Sequence, residues 1–190
     1  MIDAALSLLA GQLNRHLRNS FDLSEDLVVL SNLHEQNGTL VPLVANKVVM
    51  FLTGIERETA AHRSVEASVN GYAAMPGPAP VYLNLMLMCA ANFSGLNYPE
   101  ALKCLSSTIR FFQGHPVFDH ANAPEMDADL DRLVLSIENL SSSEMHSLWG
   151  IHSGRYLPSV LYRVRMVSMD ARHVQRLDPL VRHSDVRTLT

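Results

Sequence analysis

Cysteine is scarce in this 190-residue chain, and its two cysteines, Cys89 and Cys104, do not form a CxxC pair. Without such a pair, a cysteine-based zinc site or redox motif is not predicted. The chain also lacks a phosphate-binding loop of the GxxxxGK type and a GxSxG nucleophile elbow. The sequence therefore gives only a weak indication of enzymatic activity.

Charge is also low. Charged residues make up 18% of the chain, below the share of about 25% in typical soluble domains. The net charge is -4, so there is no basic excess. Because neutralising phosphates requires clustered lysine and arginine, binding to nucleic acid is not predicted. The low charge indicates either a surface that partners cover or a well-buried single domain.

No apolar run is long enough to cross a membrane as a helix, which needs about 20 residues. The longest run, 81–93, is interrupted by Asn84 and Asn92. At the N-terminus an acid, Asp3, comes first and the apolar residues are spaced, which is not the pattern of a signal peptide. We therefore expect synthesis and folding in the cytoplasm, without direct insertion into a membrane.

The chain does contain a clear succession of periodic segments. Helical spacing of apolar residues predicts one helix from Ile2 to about Asn19 and a second that opens at Asn97 and ends at Gly114. The buried stripe predicted for the second helix consists of Ala101, Leu102, Leu105, Ile109 and Phe112. A capping box over 141–144 predicts a third helix that stops near Gly150. Strands are predicted at 26–33, 47–56, 81–93, 132–138 and 159–169.

This order of elements indicates an α+β fold. We expect a single domain in which about three helices pack on a mostly antiparallel or mixed sheet of about five strands. The domain is predicted to span residues 1–169, and the charge-rich residues 170–190 to form a C-terminal tail. The segment 57–80 is rich in alanine, serine, proline and glycine, which is typical of an extended arm or of a hairpin tip.

A metal site is one alternative interpretation of the histidines. His115, Asp119 and His120 lie close together in the sequence. Their spacing matches no established zinc motif, and zinc requires ligands that converge tetrahedrally. A loop with polar side chains is the favoured interpretation, so no metal or other cofactor is predicted.

Several ordered segments carry a resemblance to a known family. They begin with MIDAALSLLAGQLNRHLRN, SEDLVVLSNL and NKVVMFLTGIERET and continue with LNLMLMCAANFSGLNYPEALKCLSSTIRFFQGHPVFDH, DADLDRLVLSIENLSSSEMHSLWG and YLPSVLYRVRM. In their order and spacing they resemble the cap, or tail-terminator, family of extracellular contractile injection systems, of the antifeeding-prophage and Photorhabdus virulence cassette type.

The resemblance implies a tail-terminator-like fold and a structural role. Such caps form a hexameric ring on the inner tube, at the end distal to the baseplate, where they stop tube growth and engage the last sheath layer. They have no known catalytic residues or cofactor. The implied partners are other copies of the chain, the inner tube protein and the sheath protein. The chain is expected to assemble with its partners in the bacterial cytoplasm and to become a component of the particle, which is then released from the cell. An assembly chaperone of the same system and a metal-binding enzyme around His115, Asp119 and His120 are the alternatives.

Candidate interface residues follow from this role. Subunits are expected to meet at sheet edges, where unpaired backbone groups permit strand addition. The last strand and the tail are expected to pair with an arm of the sheath, and 57–80 to contact the tube or an adjacent cap. Exposed arginines of the last strand indicate either ion pairs between subunits or a solvated face. The candidate residues are Arg57, His62, Tyr72, Met75, Arg163, Arg165, Arg172 and Arg176.

Overall fold

A computed structural model describes residues 1–35, 37–58, 81–152 and 155–168 of the chain. Within these ranges three helices and six strands confirm the α+β fold class. The elements in chain order are α1 (Ile2–Phe21), β1 (Val28–Leu30), β2 (Lys47–Arg57), β3 (Val81–Asn92), α2 (Tyr98–Gly114), β4 (Val117–Asp119), β5 (Leu130–Ile137), α3 (Ser142–Ile151) and β6 (Ser159–Ser168).

The six strands form one mixed sheet in the order β1-β2-β3-β6-β5-β4. Only β1 and β2 run parallel, and the four other pairings are antiparallel, as the sequence predicted for most of the sheet. At the centre of the sheet β6 pairs with β3 along its whole length, from Val81 opposite Ser168 to Ala90 opposite Ser159.

One face of the sheet carries α1 and α2. Side chains of a strand alternate between faces, and one set from β3 and β6 packs with the helices in a core that contains Leu9, Leu13, Leu87, Phe112 and Val164. Burying a side chain of this size contributes about 1.5–3 kcal/mol, so this face holds most of the fold's stability. Among the described helices, none is both long and apolar enough to cross a membrane.

The opposite face carries α3 and the loop that precedes β2. Trp149 of α3 packs with Val49, Phe51, Met88 and Leu161 in a second, smaller core. The predicted capping box at the start of α3 is confirmed. The backbone N–H of Ser141 donates to Glu144 Oε2 at 2.8 Å, and the Glu144 N–H donates to Ser141 Oγ at 3.3 Å.

The structure corrects the predicted burial of α2. Leu102 is 44% exposed, and the side chains turned to the core include Cys104, Thr108 and Phe111. Thr108 is tolerated there because its hydroxyl donates to the Cys104 carbonyl at 2.9 Å. Local hydrogen bonding thus removes the cost of burying a polar group, which an apolar-stripe argument does not anticipate.

The structure also adds a strand. β4 has only three residues, and its pairing with β5 places Phe118 opposite Leu133. A segment of three residues is too short to show the alternation of apolar and polar residues that indicates a strand, so β4 was not among the five predicted strands. The five strands that were predicted are all present.

Candidate interaction surfaces

The outer edge of β1 is closed by a side chain of α1. The Val48 N–H donates to the Leu27 carbonyl, and the Ser31 N–H donates to the Met50 carbonyl. Along β1 the backbone groups of alternate residues therefore point toward β2, and those of Val28 point outward, away from the sheet. Val28 N–H donates to Asn14 Oδ1 at 2.7 Å, and Asn14 Nδ2 donates to the Val28 carbonyl at 3.0 Å. The buried Asn14 amide therefore occupies the place that a neighbouring strand would take.

The opposite edge, at β4, is closed in a similar way. Leu135 N–H donates to the Pro116 carbonyl, so Val117 and Asp119 present their backbone groups outward. Asn122 Nδ2 donates to the Val117 carbonyl at 2.9 Å, and Asp119 N–H donates to Asn122 Oδ1 at 3.0 Å. The Asp119 carbonyl accepts from Ala123 N–H at 2.8 Å.

These closed edges bear on how subunits can meet. A strand added at Val28 or at 117–119 would have to displace an asparagine amide, so strand addition at these positions is disfavoured. The expectation that the last strand pairs with an arm of the sheath is wrong for β6. That strand is hydrogen-bonded to β3 on one side and β5 on the other, so its backbone groups are already used.

A different surface lies at the end of the sheet where β2 begins and β3 finishes. Two loops meet there, LVPLVAN at 40–46 and FSGLNYP at 93–99, and neither contains a charged residue. Leu43 is 74% exposed, Leu96 is 98% exposed, and Tyr98, two residues after Leu96, is half exposed. Exposed apolar side chains on two loops that contact each other through Asn46 and Asn97 are typical of a protein–protein contact, whereas scattered single ones are not informative. We call this surface the charge-free end.

Asparagines fix the shape of the charge-free end. Asn92 Nδ2 donates to the Val44 carbonyl at 2.8 Å, and Asn46 N–H donates to the Asn92 carbonyl at 2.8 Å. Asn46 has a φ of 55°, a left-handed conformation that asparagine tolerates. Asn97 lies at the N-cap position predicted for α2, but its side chain contacts Asn46 Oδ1 at 3.5 Å instead of capping the helix. The two loops are thus held against each other.

The candidate arginines of β6 have partners within the chain. Arg163 Nε lies 3.0 Å from Glu138 Oε2, and Arg165 Nε donates to Glu58 Oε2 at 3.0 Å. Both guanidinium groups keep exposed surface, but their charges are already balanced locally. Arg57 is exposed at the last position of β2. The other candidates, His62, Tyr72, Met75, Arg172 and Arg176, lie outside the described residues, as do most of 57–80 and the whole 170–190 tail.

The proposed ligands of the metal alternative have other roles. His120 Nε2 lies 2.8 Å from the Leu130 carbonyl, and His115 Nδ1 lies 3.2 Å from that of Phe111. The Asp119 carboxylate accepts from the backbone N–H of Ala121 at 3.0 Å and so shapes a turn. In the part of the chain that the structure describes, no three histidine, cysteine or acidic side chains converge on a common point.

The two thiols are placed for packing rather than for reaction. Burial raises the pKa of the Cys89 thiol to about 12, and burial is also the main cause that raises the pKa of Cys104. A thiol reacts as its thiolate, and burial disfavours that charged form at both cysteines.

Two solved structures with a similar fold are terminators of contractile injection systems. The chain superposes with a TM-score of 0.60 and 12% identity on the sheath/tube terminator, in the extended state, of an extracellular contractile injection system named PVC, over 99% of this chain and 65% of that chain. It superposes with a TM-score of 0.56 and 12% identity on the anti-feeding prophage tube-terminating cap, over 95% of this chain and 59% of that one. The chain thus spans about two thirds or less of these proteins.

The sequence family agrees with this fold. A family model described as the Pvc16 N-terminal domain matches residues 4–183, and the chain belongs to that family. No curated protein sequence matches the chain. The resemblance to cap proteins of the antifeeding-prophage and Photorhabdus virulence cassette type is thereby confirmed.

Proposed function

We propose that this chain is a structural cap of a phage-tail-like contractile injection system and terminates the inner tube at the end distal to the baseplate. The observation that carries the proposal is a fold shared over nearly the whole chain with a sheath/tube terminator and a tube-terminating cap, together with membership of the Pvc16 N-terminal domain family. The role is structural and non-enzymatic.

Two features of the surface support a capping role. A protein that ends a polymer must bind the last ring and offer no site for another, and the closed edges at Asn14 and Asn122 remove places for strand addition. The charge-free end supplies the apolar contact that a stable complex needs. In this proposal Leu43 and Leu96 face the tube or the next cap subunit.

The cap acts as a hexameric ring that also engages the last sheath layer. A ring requires head-to-tail contacts that close by rotation. Because β6 lies inside the sheet, sheath contact by strand pairing falls to the C-terminal residues 170–190 and not to β6. Residues 57–80 are proposed to contact the tube or an adjacent cap.

Intact particles provide the test. Particles are purified, their proteins are quantified by mass spectrometry, and the end distal to the baseplate is imaged. We expect the chain to be present as one ring at that end, and deletion of its gene to give tubes of uncontrolled length. A chain that is needed for assembly but absent from finished particles would instead be a chaperone, and the cap proposal would be wrong.

Sheath engagement is tested separately by deleting residues 171–190. We expect the shortened chain to remain on the tube while the sheath detaches from the cap. Sheath attachment that is unchanged after the deletion would remove the proposed role of the tail and leave the role in tube termination intact.

A further inference from the structure

The outer side of α2 carries an exposed row of side chains that continues from the charge-free end. Tyr98, Leu102, Ser106 and Arg110 follow each other at intervals of four residues, so they form one row along the helix. Tyr98 is 50% exposed and Leu102 is 44% exposed, and Ser106 and Arg110 are exposed as well. The row is apolar where it leaves the charge-free end and cationic about 18 Å further on, at 1.5 Å per residue. We call it the α2 ridge.

A groove between α1 and α2 adjoins the cationic half of the ridge. It has a volume of about 430 Å³, and its lining includes His16 and Ser20 from α1 with Leu102, Lys103 and Arg110 from α2. Among the described residues, none of those that line it is acidic. The groove therefore offers positive charge and hydrogen-bond donors without a carboxylate of its own.

The wall of this groove is preformed, and its arginine is unpaired. The His16 ring stacks on Phe111 with centroids 4.8 Å apart, and His16 Nε2 lies 3.1 Å from Ser107 Oγ. Arg110 has no ion pair among the residues that the structure describes. Burial, followed by the charges of His115 and Arg110, lowers the pKa of His16, as expected where positive charge is not compensated. The Arg110 guanidinium is therefore available to an incoming carboxylate.

The partner that complements the ridge is an acidic protein segment with an apolar anchor. Such a segment places an apolar side chain on Tyr98 and Leu102 and its carboxylates at Arg110. Another copy of this chain is poorly suited, because seven of its described carboxylates are already ion-paired within the chain. Two more, those of Asp119 and Glu144, accept hydrogen bonds from backbone N–H groups in a turn and in the capping box. A second protein is therefore the better source of the segment.

We propose that the α2 ridge binds an acidic segment of the inner tube protein, with Arg110 paired to its carboxylates and with Tyr98 and Leu102 covered by an apolar side chain. This proposal rests on the role in tube termination proposed above, and it names the surface and the chemistry of that contact. Because the ridge begins in the charge-free end, a single continuous contact extends from Leu96 to Arg110.

Photo-crosslinking in assembled particles identifies the occupant of the ridge. The probe p-benzoylphenylalanine replaces Ser106, which is exposed between Leu102 and Arg110. As a control it replaces Ser147, which is exposed on α3 on the other face of the sheet. We expect the probe at position 106 to crosslink an acid-rich segment of the tube protein, and the probe at position 147 not to reach that segment. A crosslink from position 106 to another copy, to the sheath protein or to a segment without carboxylates, or no crosslink at all, would overturn the proposal.

Charge reversal tests the ion pair itself. Arg110→Glu places like charges across the contact, and we expect it to be retained on particles at about a tenth of the wild-type level or less. Exchange of the crosslinked tube carboxylates for lysine restores the attraction, so the retention of Arg110→Glu should return. Arg132→Glu is the control, since it reverses an exposed arginine on β5 that does not line the groove. It should be retained like the wild type.

The outcomes separate this contact from the cap function. Thermal melts check that each variant folds, and the crosslink from position 106 decides the question if Arg110→Glu does not. Retention of a folded Arg110→Glu variant at the wild-type level, or a loss that lysine on the tube does not restore, would overturn the contact and leave the cap function intact. Absence of the wild-type chain from the distal end would instead overturn the proposed function.

Discussion

Asn14 on α1 and Val28 on β1 exchange two hydrogen bonds, in which the Asn14 side chain serves both the N–H and the carbonyl of Val28. The buried Asn14 amide thus makes the two hydrogen bonds that a neighbouring strand would otherwise make with Val28. It ties the first helix to the edge of the sheet and satisfies two backbone groups that would otherwise be buried without partners.

We expect Asn14→Leu to destabilise the fold by about 2 kcal/mol or more, because the two backbone groups of Val28 lose their partners while an apolar side chain of similar size fills the space. Urea unfolding measures the change in the free energy of unfolding. Gln12→Leu is the matched control, since the Gln12 amide is on the same helix but bonds the exposed Glu125. Equal stability of the two variants would contradict the role of Asn14.

The capping box gives a second prediction. Ser141→Ala removes the acceptor for the Glu144 N–H and should destabilise α3 by about 1 kcal/mol. Trp149 is the only tryptophan of the chain and lies on α3, so its fluorescence reports the change directly. Ser147→Ala, at an exposed position within the same helix, should have little effect. A similar loss in both variants would argue against the cap as the cause.

Two histidines predict the direction of the pH dependence. Burial, aided by His115 and Arg110, lowers the pKa of His16, and burial, aided by His34, lowers the pKa of His152 below the usual 6.5. As the pH falls through about 6.5, the unfolded chain therefore takes up protons at His16 and His152 before the folded chain does. The stability gained by keeping His16 and His152 neutral in the fold is therefore complete above about pH 6.5 and declines as the pH falls below it.

Unfolding curves followed by Trp149 fluorescence at several pH values measure this dependence. His152 packs edge-on against Phe51 at 4.9 Å and against Trp149 at 6.1 Å, so its protonation loosens the contact of α3 with the sheet. The variant His152→Gln should show a weaker loss of stability on acidification. An identical pH profile in this variant and the wild type would exclude His152 as a source.

The charge-free end is tested with Leu96→Lys combined with Leu43→Lys. Both side chains are largely exposed, so the stability of the isolated chain should change by less than about 0.5 kcal/mol per site. Incorporation into particles should nevertheless fall about tenfold or more, because a charge would be buried at the contact. Ile151→Lys, at the exposed end of α3, is the control. Normal incorporation of the double variant would show that this end is not a contact.

Local signals in the sequence predicted the helices well. The start of α3 follows from Ser141 and Glu144 alone, since a capping box involves residues three positions apart. The long strands β2, β3 and β6 follow from apolar runs that show on which face each side chain lies. These signals act over a few residues, so they can be read without the rest of the chain.

The sequence alone therefore determined the class of fold, the bounds of the longer elements and, by resemblance, the family. Only the tertiary structure decided that β6 lies inside the sheet, that α2 turns Thr108 inward and Leu102 outward, and that Asn14 and Asn122 close the edges. The reason is physical: strand order and edge closure depend on contacts between residues far apart in the chain, and no periodicity within one segment records them.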